Sequence, residues 1–155
     1  MKRKKSSLLW QLFWSYFGLV ILTILIVVSI TLKLVHDNAI DVTTNNLMHK
    51  SIVLEDLFSD RILSLSKSEF ESYVVSIAEE TQTRVTLILR NGAVYIDSNR
   101  QIESMDNHLA RPEIKDAFAL GKGISVRYSD VLKETMVYYA FRFSVPNDFD
   151  GVLRL

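Results

Sequence analysis

The chain has 155 residues, with 18 Lys and Arg against 18 Asp and Glu, three His and no Cys. Setting aside Lys2, Arg3, Lys4 and Lys5 leaves fourteen basic residues against eighteen acidic ones, a net of −4. That balance speaks against nucleic acid, which needs a basic footprint, and the lack of Cys excludes a disulfide scaffold, thiol catalysis and thiolate zinc sites.

Residues 8–32 read LLWQLFWSYFGLVILTILIVVSITL, with no charge between Lys5 and Lys33. A helix satisfies its own backbone in hydrocarbon, and about 20 apolar residues cross a core of roughly 30 Å, so this stretch predicts a transmembrane helix. The four basic residues before it hold the N-terminus in the cytoplasm, and Trp10, Trp14 and Tyr16 suit the headgroup level at that end. A cleaved signal peptide has the same order of basic and apolar regions. This apolar run is about twice the usual length, however, and no small-x-small site follows Leu32, so an uncleaved anchor is expected. The predicted organisation is a cytoplasmic tail over 1–7, a transmembrane helix over 8–32 and one extracytoplasmic domain over 33–155.

Residues 34–65 lack Pro and Gly, and Ile40, Leu47, Leu54, Phe58, Ile62 and Leu65 recur at mixed heptad and helical spacings. The pattern predicts a long helix leaving the membrane. A coiled-coil dimer along it is compatible with the spacing, but packing on its own domain explains the stripe as well. Ser66 and Glu69 fit a capping box ahead of Phe70, Val74 and Ile77, which predicts a second helix over 68–81.

From Arg84 the period becomes two. Val85, Leu87 and Leu89 alternate with their neighbours, and Asn91-Gly92 suits a two-residue type I′ turn into a strand over 93–97, with Leu89 opposite Val94 and Leu87 opposite Ile96. After a polar segment, Pro112 and Glu113 open a short helix over 111–120 that Gly121 closes. Its stripe is Ile114, Ala117 and Phe118. Strands are predicted over 124–129 and 135–143, joined by a loop near 130–134. Pro146, Asn147, Asp148 and Gly151 mark a last turn, and 152–155 reads as the opening of a fifth strand cut short, with an unpaired edge.

The fold class is therefore α+β: a membrane helix running on into a long extracytoplasmic helix, then an antiparallel five-stranded sheet with flanking helices. That order is the order of a PAS-like or Cache-type sensor domain, with the helices expected on one side of the sheet.

No GxSxG, GxxxxGK[ST] or GxGxxG motif occurs. His36, His49 and His108 show no HxxxH or HExxH spacing, so neither a catalytic residue nor a metal site is read in the chain.

The segment RVTLILRNGAVYIDS, with SMDNHLARPEIKDAFALGKGISVRYSDVLKETMVYYAFRF after it, resembles the extracytoplasmic domain of phosphate-regulon-type sensor histidine kinases of Gram-positive bacteria. The matching positions are Asn91-Gly92 through Asp97-Ser98, then Met105, Asn107, His108, Arg111, Pro112, Glu113 and Ile114, then Gly121, Gly123 and Arg127-Tyr128-Ser129. Val131 stands where Thr is commoner. The resemblance implies a homodimeric receptor in the plasma membrane, with its outer domain between two membrane helices. It also implies a cytoplasmic kinase, beyond this sequence, that uses ATP and Mg and hands a phosphoryl group to a response regulator. None of the three histidines is the phosphoacceptor on this reading. Other readings are the sensor part of a chemoreceptor or nucleotide-cyclase receptor, or a complete single-pass binding module.

His108, Arg111, Arg127, Tyr128 and Tyr138 are the candidate ligand-binding residues, for a small molecule or a membrane-protein signal. Asn91, Gly92, Asn107, Pro112 and Gly121 are read as turn and motif residues. Docking of the turn is the favoured role for Asn107, His108 and Arg111, because such a loop must satisfy its backbone. Arg127 is expected to face solvent or to pair with Asp97 or Glu134.

Overall fold

The computed structural model describes residues 8–99, 102, 105–129, 133–146 and 149–155. Its elements are α1 (Leu8–Ser64), α2 (Lys67–Glu80), β1 (Thr86–Leu89), β2 (Val94–Asp97), α3 (Pro112–Leu120), β3 (Lys122–Ser129), β4 (Glu134–Val145) and β5 (Phe149–Arg154). The predicted tail over 1–7, most of the loop near 130–134 and turn residues Asn147 and Asp148 lie outside the described residues. The chain divides into two compact units, Met1–Asp41 and Val42–Leu155.

In the first unit α1 is long and apolar enough to cross a membrane, and its apolar window is wholly exposed. The hydroxyls of Ser15, Thr23 and Thr31 donate to the carbonyls of Gln11, Leu19 and Val27 at 3.0, 2.9 and 2.9 Å. These three hydroxyls are thus satisfied within the helix itself. Trp10, Phe13, Trp14 and Phe17 form a ladder of ring contacts at one end.

In the second unit the five strands are antiparallel in the order β2-β1-β5-β4-β3. Strand alternation divides their side chains between two faces. Leu87, Ile96, Phe141, Phe143 and Leu153 point to one face, where Leu47, Leu54, Phe58 and Ile62 of α1 and Phe70 and Val74 of α2 bury them. With the buried Ser51 these α1 residues recur every three or four positions, so one stripe of the helix enters the core. Ser66 caps α2 with the predicted capping box, its amide and hydroxyl both reaching Glu69 Oε2. Lys50 Nζ donates to Thr81 O and Thr83 Oγ1 at 2.8 and 2.6 Å, tying the end of α2 back to α1.

Ile88, Ala140 and Val152 point to the other face and meet Ile114, Ala117 and Phe118 of α3. The helices therefore flank the sheet on both sides, not on one as expected. The reason is that β1 is apolar at consecutive positions, Leu87 and Ile88, and both are fully buried. Such a strand needs cover on each face.

Two local expectations change. Asn91 keeps negative φ, and Gly92 alone in the hairpin takes φ +83. Gly92 N donates to Leu89 O at 2.8 Å and Leu89 N to Ala93 O at 2.9 Å, so the loop has three residues, Arg90-Asn91-Gly92, instead of a two-residue type I′ turn. The longer loop moves the pairing: Leu87 faces Ile96 as predicted, but Ile88 faces Val94, with a bulge at Tyr95. The second change concerns β5, which is not an edge. It lies between β1 and β4, and Leu155 exchanges backbone hydrogen bonds with Tyr139 at 2.8 and 3.1 Å. Gly151, read as a turn residue, belongs to this strand.

Candidate functional site

Polar side chains collect on the α3 face of the sheet, where the apolar cover is thin. Three devices build this corner. Pro112 occupies the first helical position of α3, with Arg111 as N-cap in extended conformation and Gly121 as left-handed C-cap. Gly123 opens β3 directly beneath the helix, and an added Cβ there would meet the Glu113 carbonyl and Asp116. The turn before α3 docks on the β1–β2 hairpin: His108 N donates to Gly92 O and Asn107 Nδ2 to Asn91 O, each at 2.9 Å.

Glu113 is fully buried and forms the hub. Its Oε1 accepts from Arg127 Nη2 at 2.8 Å and lies 3.7 Å from Arg154 Nη1. Arg127 stacks over the Tyr138 ring at 4.2 Å and Arg154 over the same ring at 5.4 Å. Arg154 Nη2 donates to Thr86 Oγ1 at 3.1 Å, and that hydroxyl donates onward to Asp97 Oδ2 at 2.8 Å. Asp97 is also held by Arg84 through Nε and Nη2, at 2.9 Å for the shortest contact, and by the Asn99 amide. Burial works to raise the Asp97 pKa, and the bonds from Arg84, the Asn99 amide and Thr86 outweigh it, holding the carboxyl below its ordinary value.

The cluster is not internally satisfied. Glu113 Oε2 and His108 Nδ1 are buried without a hydrogen-bond partner among the described residues. Burial, reinforced by the charges of Arg154, Arg111 and Arg84, pushes the His108 imidazole down to about 4, against a smaller pull from Asp97. At neutral pH it is uncharged. Burial and the neighbouring Arg111 and Arg84 likewise depress Arg154 to about 10, despite Glu113 and Asp97. Arg111 makes no side-chain cap bond, and among the described residues its guanidinium has no hydrogen bond or ion pair.

Of the candidates read from the sequence, His108, Arg111, Arg127 and Tyr138 belong to this corner. Tyr128 does not. It alternates with Arg127 along β3, so it points to the opposite face with Ile124 and Val126 and is 60% exposed. Arg127 pairs with Glu113, neither facing solvent nor reaching Asp97 or Glu134. Asn107 docks the turn, as expected, and also closes on itself by accepting from Leu109 N at 2.8 Å. His108 contributes its backbone to that turn and Arg111 its amide, which donates to His108 O at 3.0 Å. Neither contributes a side-chain hydrogen bond among the described residues.

Sequence reasoning missed Glu113 as a hub, having read it as a helix-dipole residue, and missed Arg84, Thr86 and Arg154 altogether. One signal was present: Arg154 interrupts the apolar run GVLRL, and a charge at an inward strand position needs a buried partner.

No protein-family model and no curated protein matches the sequence. Solved structures do. The extracellular domain of rpHK1S-Z16, assigned as a histidine kinase, superposes with a TM-score of 0.52 at 14% identity, over 72% of this chain and 49% of that one. The sensor domain of the V. cholerae histidine kinase DctB gives 0.46 at 21% identity, over 57% of this chain and 36% of that one. The ligand-binding domain of the Campylobacter jejuni chemoreceptor Tlp3, in complex with 4-methylisoleucine, gives 0.48 at 15% identity, over 74% and 54%. The chain spans from about a third to about half of the length of these solved chains, and its fold is that of the rpHK1S-Z16 extracellular domain.

Proposed function

We propose that this chain is the membrane-anchoring and sensing part of a two-component sensor histidine kinase, of the phosphate-regulon type that its hairpin and turn motifs resemble. The apolar part of α1 anchors it in the plasma membrane with the N-terminus in the cytoplasm. The domain from Val42 onward lies outside and detects a polar small molecule. The observation that carries this reading is the buried corner at α3, where, among the described residues, Glu113 Oε2 and His108 Nδ1 lack partners and Arg111 makes no hydrogen bond or ion pair. A buried polar network left incomplete costs stability, and a ligand that completes it recovers that cost on binding. The domain would then favour one of two arrangements of α1 relative to a second membrane helix. The whole protein would act as a homodimer, use ATP and Mg in its cytoplasmic kinase and pass the phosphoryl group to a response regulator.

The test is to read the coding frame beyond Leu155. A second apolar run of about 20 residues, then a histidine-bearing helix and an ATP-binding domain, is the expected result. A methyl-accepting or cyclase domain in that place, or a stop, would overturn the kinase reading.

A further inference from the structure

The class of ligand that completes the corner rests on the sensing reading above and is set by the charges around His108. The charged groups that act on the imidazole are Arg154, Arg111, Arg84 and Asp97. Arg84 precedes β1, Asp97 ends β2, Arg111 and Glu113 open α3, and Arg154 lies in β5. Arg127 of β3 joins through Glu113, and the Tyr138 ring of β4 lies against Arg127 and Arg154. Four guanidiniums thus meet two carboxylates among the described residues. The two carboxylates are already engaged: Asp97 by Arg84 and Thr86, Glu113 by Arg127 and Arg154. The surplus is positive, and it sits where Arg111 has no hydrogen bond or ion pair among the described residues and Arg154 is only 3% exposed.

We propose that this corner binds an oxyanion, carboxylate or phosphate, between Arg111 and Arg154, and that His108 takes up a proton from solvent when the anion enters. Guanidinium forks match such groups with two parallel hydrogen bonds. An anion there offsets the arginine field that adds to burial in keeping the imidazole neutral, and it offers Nδ1 the acceptor it lacks, so anion and proton bind cooperatively. The linkage is reciprocal: the anion makes His108 easier to protonate, and acid makes the anion bind more tightly.

The test uses the full chain in detergent micelles with His36→Gln and His49→Gln. Both sites are exposed on α1, and the changes leave His108 as the sole imidazole. The imidazole is titrated by NMR in chloride, in inorganic phosphate and in formate at constant ionic strength. In chloride it should titrate at about 4. A saturating anion should raise the midpoint by about 1–3 units, the usual effect of an opposite charge at contact distance. Arg111→Gln, which removes no hydrogen bond or ion pair among the described residues, should abolish the rise. A rise with phosphate alone assigns a phosphoryl ligand, with formate alone a carboxylate, and with both the shared oxyanion chemistry. An unchanged midpoint in both anions overturns the proposal, as does a rise that persists undiminished in Arg111→Gln. The titration is independent of any sequence beyond Leu155, so it and the kinase reading can fail separately.

Discussion

Gly92 holds φ +83 with Asn107 and Leu109 packed where a side chain would begin. Gly92→Val should therefore cost roughly 1–3 kcal/mol from backbone strain alone, seen as a lower denaturant midpoint for the full chain. An unchanged midpoint would refute the loop geometry. His108 leads to a pH prediction with a definite sign. Its folded value, about 4, lies below the ordinary 6.5, so between those limits the unfolded chain binds more protons than the folded one. Stability should fall as pH drops from about 6.5 towards 4 and gain no further His108 slope below that. Thermal unfolding across this range checks it, and His108→Gln should flatten the slope. Asp97 acts at a lower window: its depressed value gives stability that is present above about pH 4 and lost as pH falls through the folded value.

At the scale of elements, α2 and α3 are seated by different means. The start of α2 is local chemistry, and Ser66→Ala, removing the hydroxyl half of the capping box, should lower stability by about 1 kcal/mol without altering the corner at α3. The seat of α3 is tertiary. Gly123→Ala drives a Cβ into the Glu113 carbonyl, so it should both destabilise the domain and disturb the cluster hung from Glu113. A titration of His108 that moves in Gly123→Ala but not in Ser66→Ala would separate the two mechanisms. Equal effects would contradict the assignment of Gly123 as the point of closest approach.

For the whole molecule, the proposed topology places the soluble unit outside the cell. A phosphatase reporter fused after Leu65 should be active, since that enzyme matures only beyond the cytoplasm; an active cytoplasmic reporter at the same site would reverse the orientation. The apolar window of α1 is wholly exposed, while the stripe from Leu47 to Ile62 is consumed by the core. One helix thus carries two kinds of sequence. The first suits a membrane span by length and composition, and the second packs on a sheet.

Much of this was legible along the chain because its cause is local. Helix starts at Ser66 and Pro112, the left-handed stop at Gly121, the glycine turn after Leu89 and the alternation of the strands each depend on a few neighbouring residues. The five-stranded sheet domain was also legible, since the period of apolar residues changes where the elements change. Features of long range were not legible. The last strand became a central one because β5 completes the hydrogen bonds of β1 and β4, which no local signal encodes. Arg127 found Glu113 across 14 residues and Arg154 found Thr86 across 68, while Tyr128, one position from Arg127, was sent to the other face. Charge type alone could not choose among partners. The register of the sheet and the close approach of α3 over Gly123 chose them, because a buried charge is tolerated only where the fold brings its counterpart.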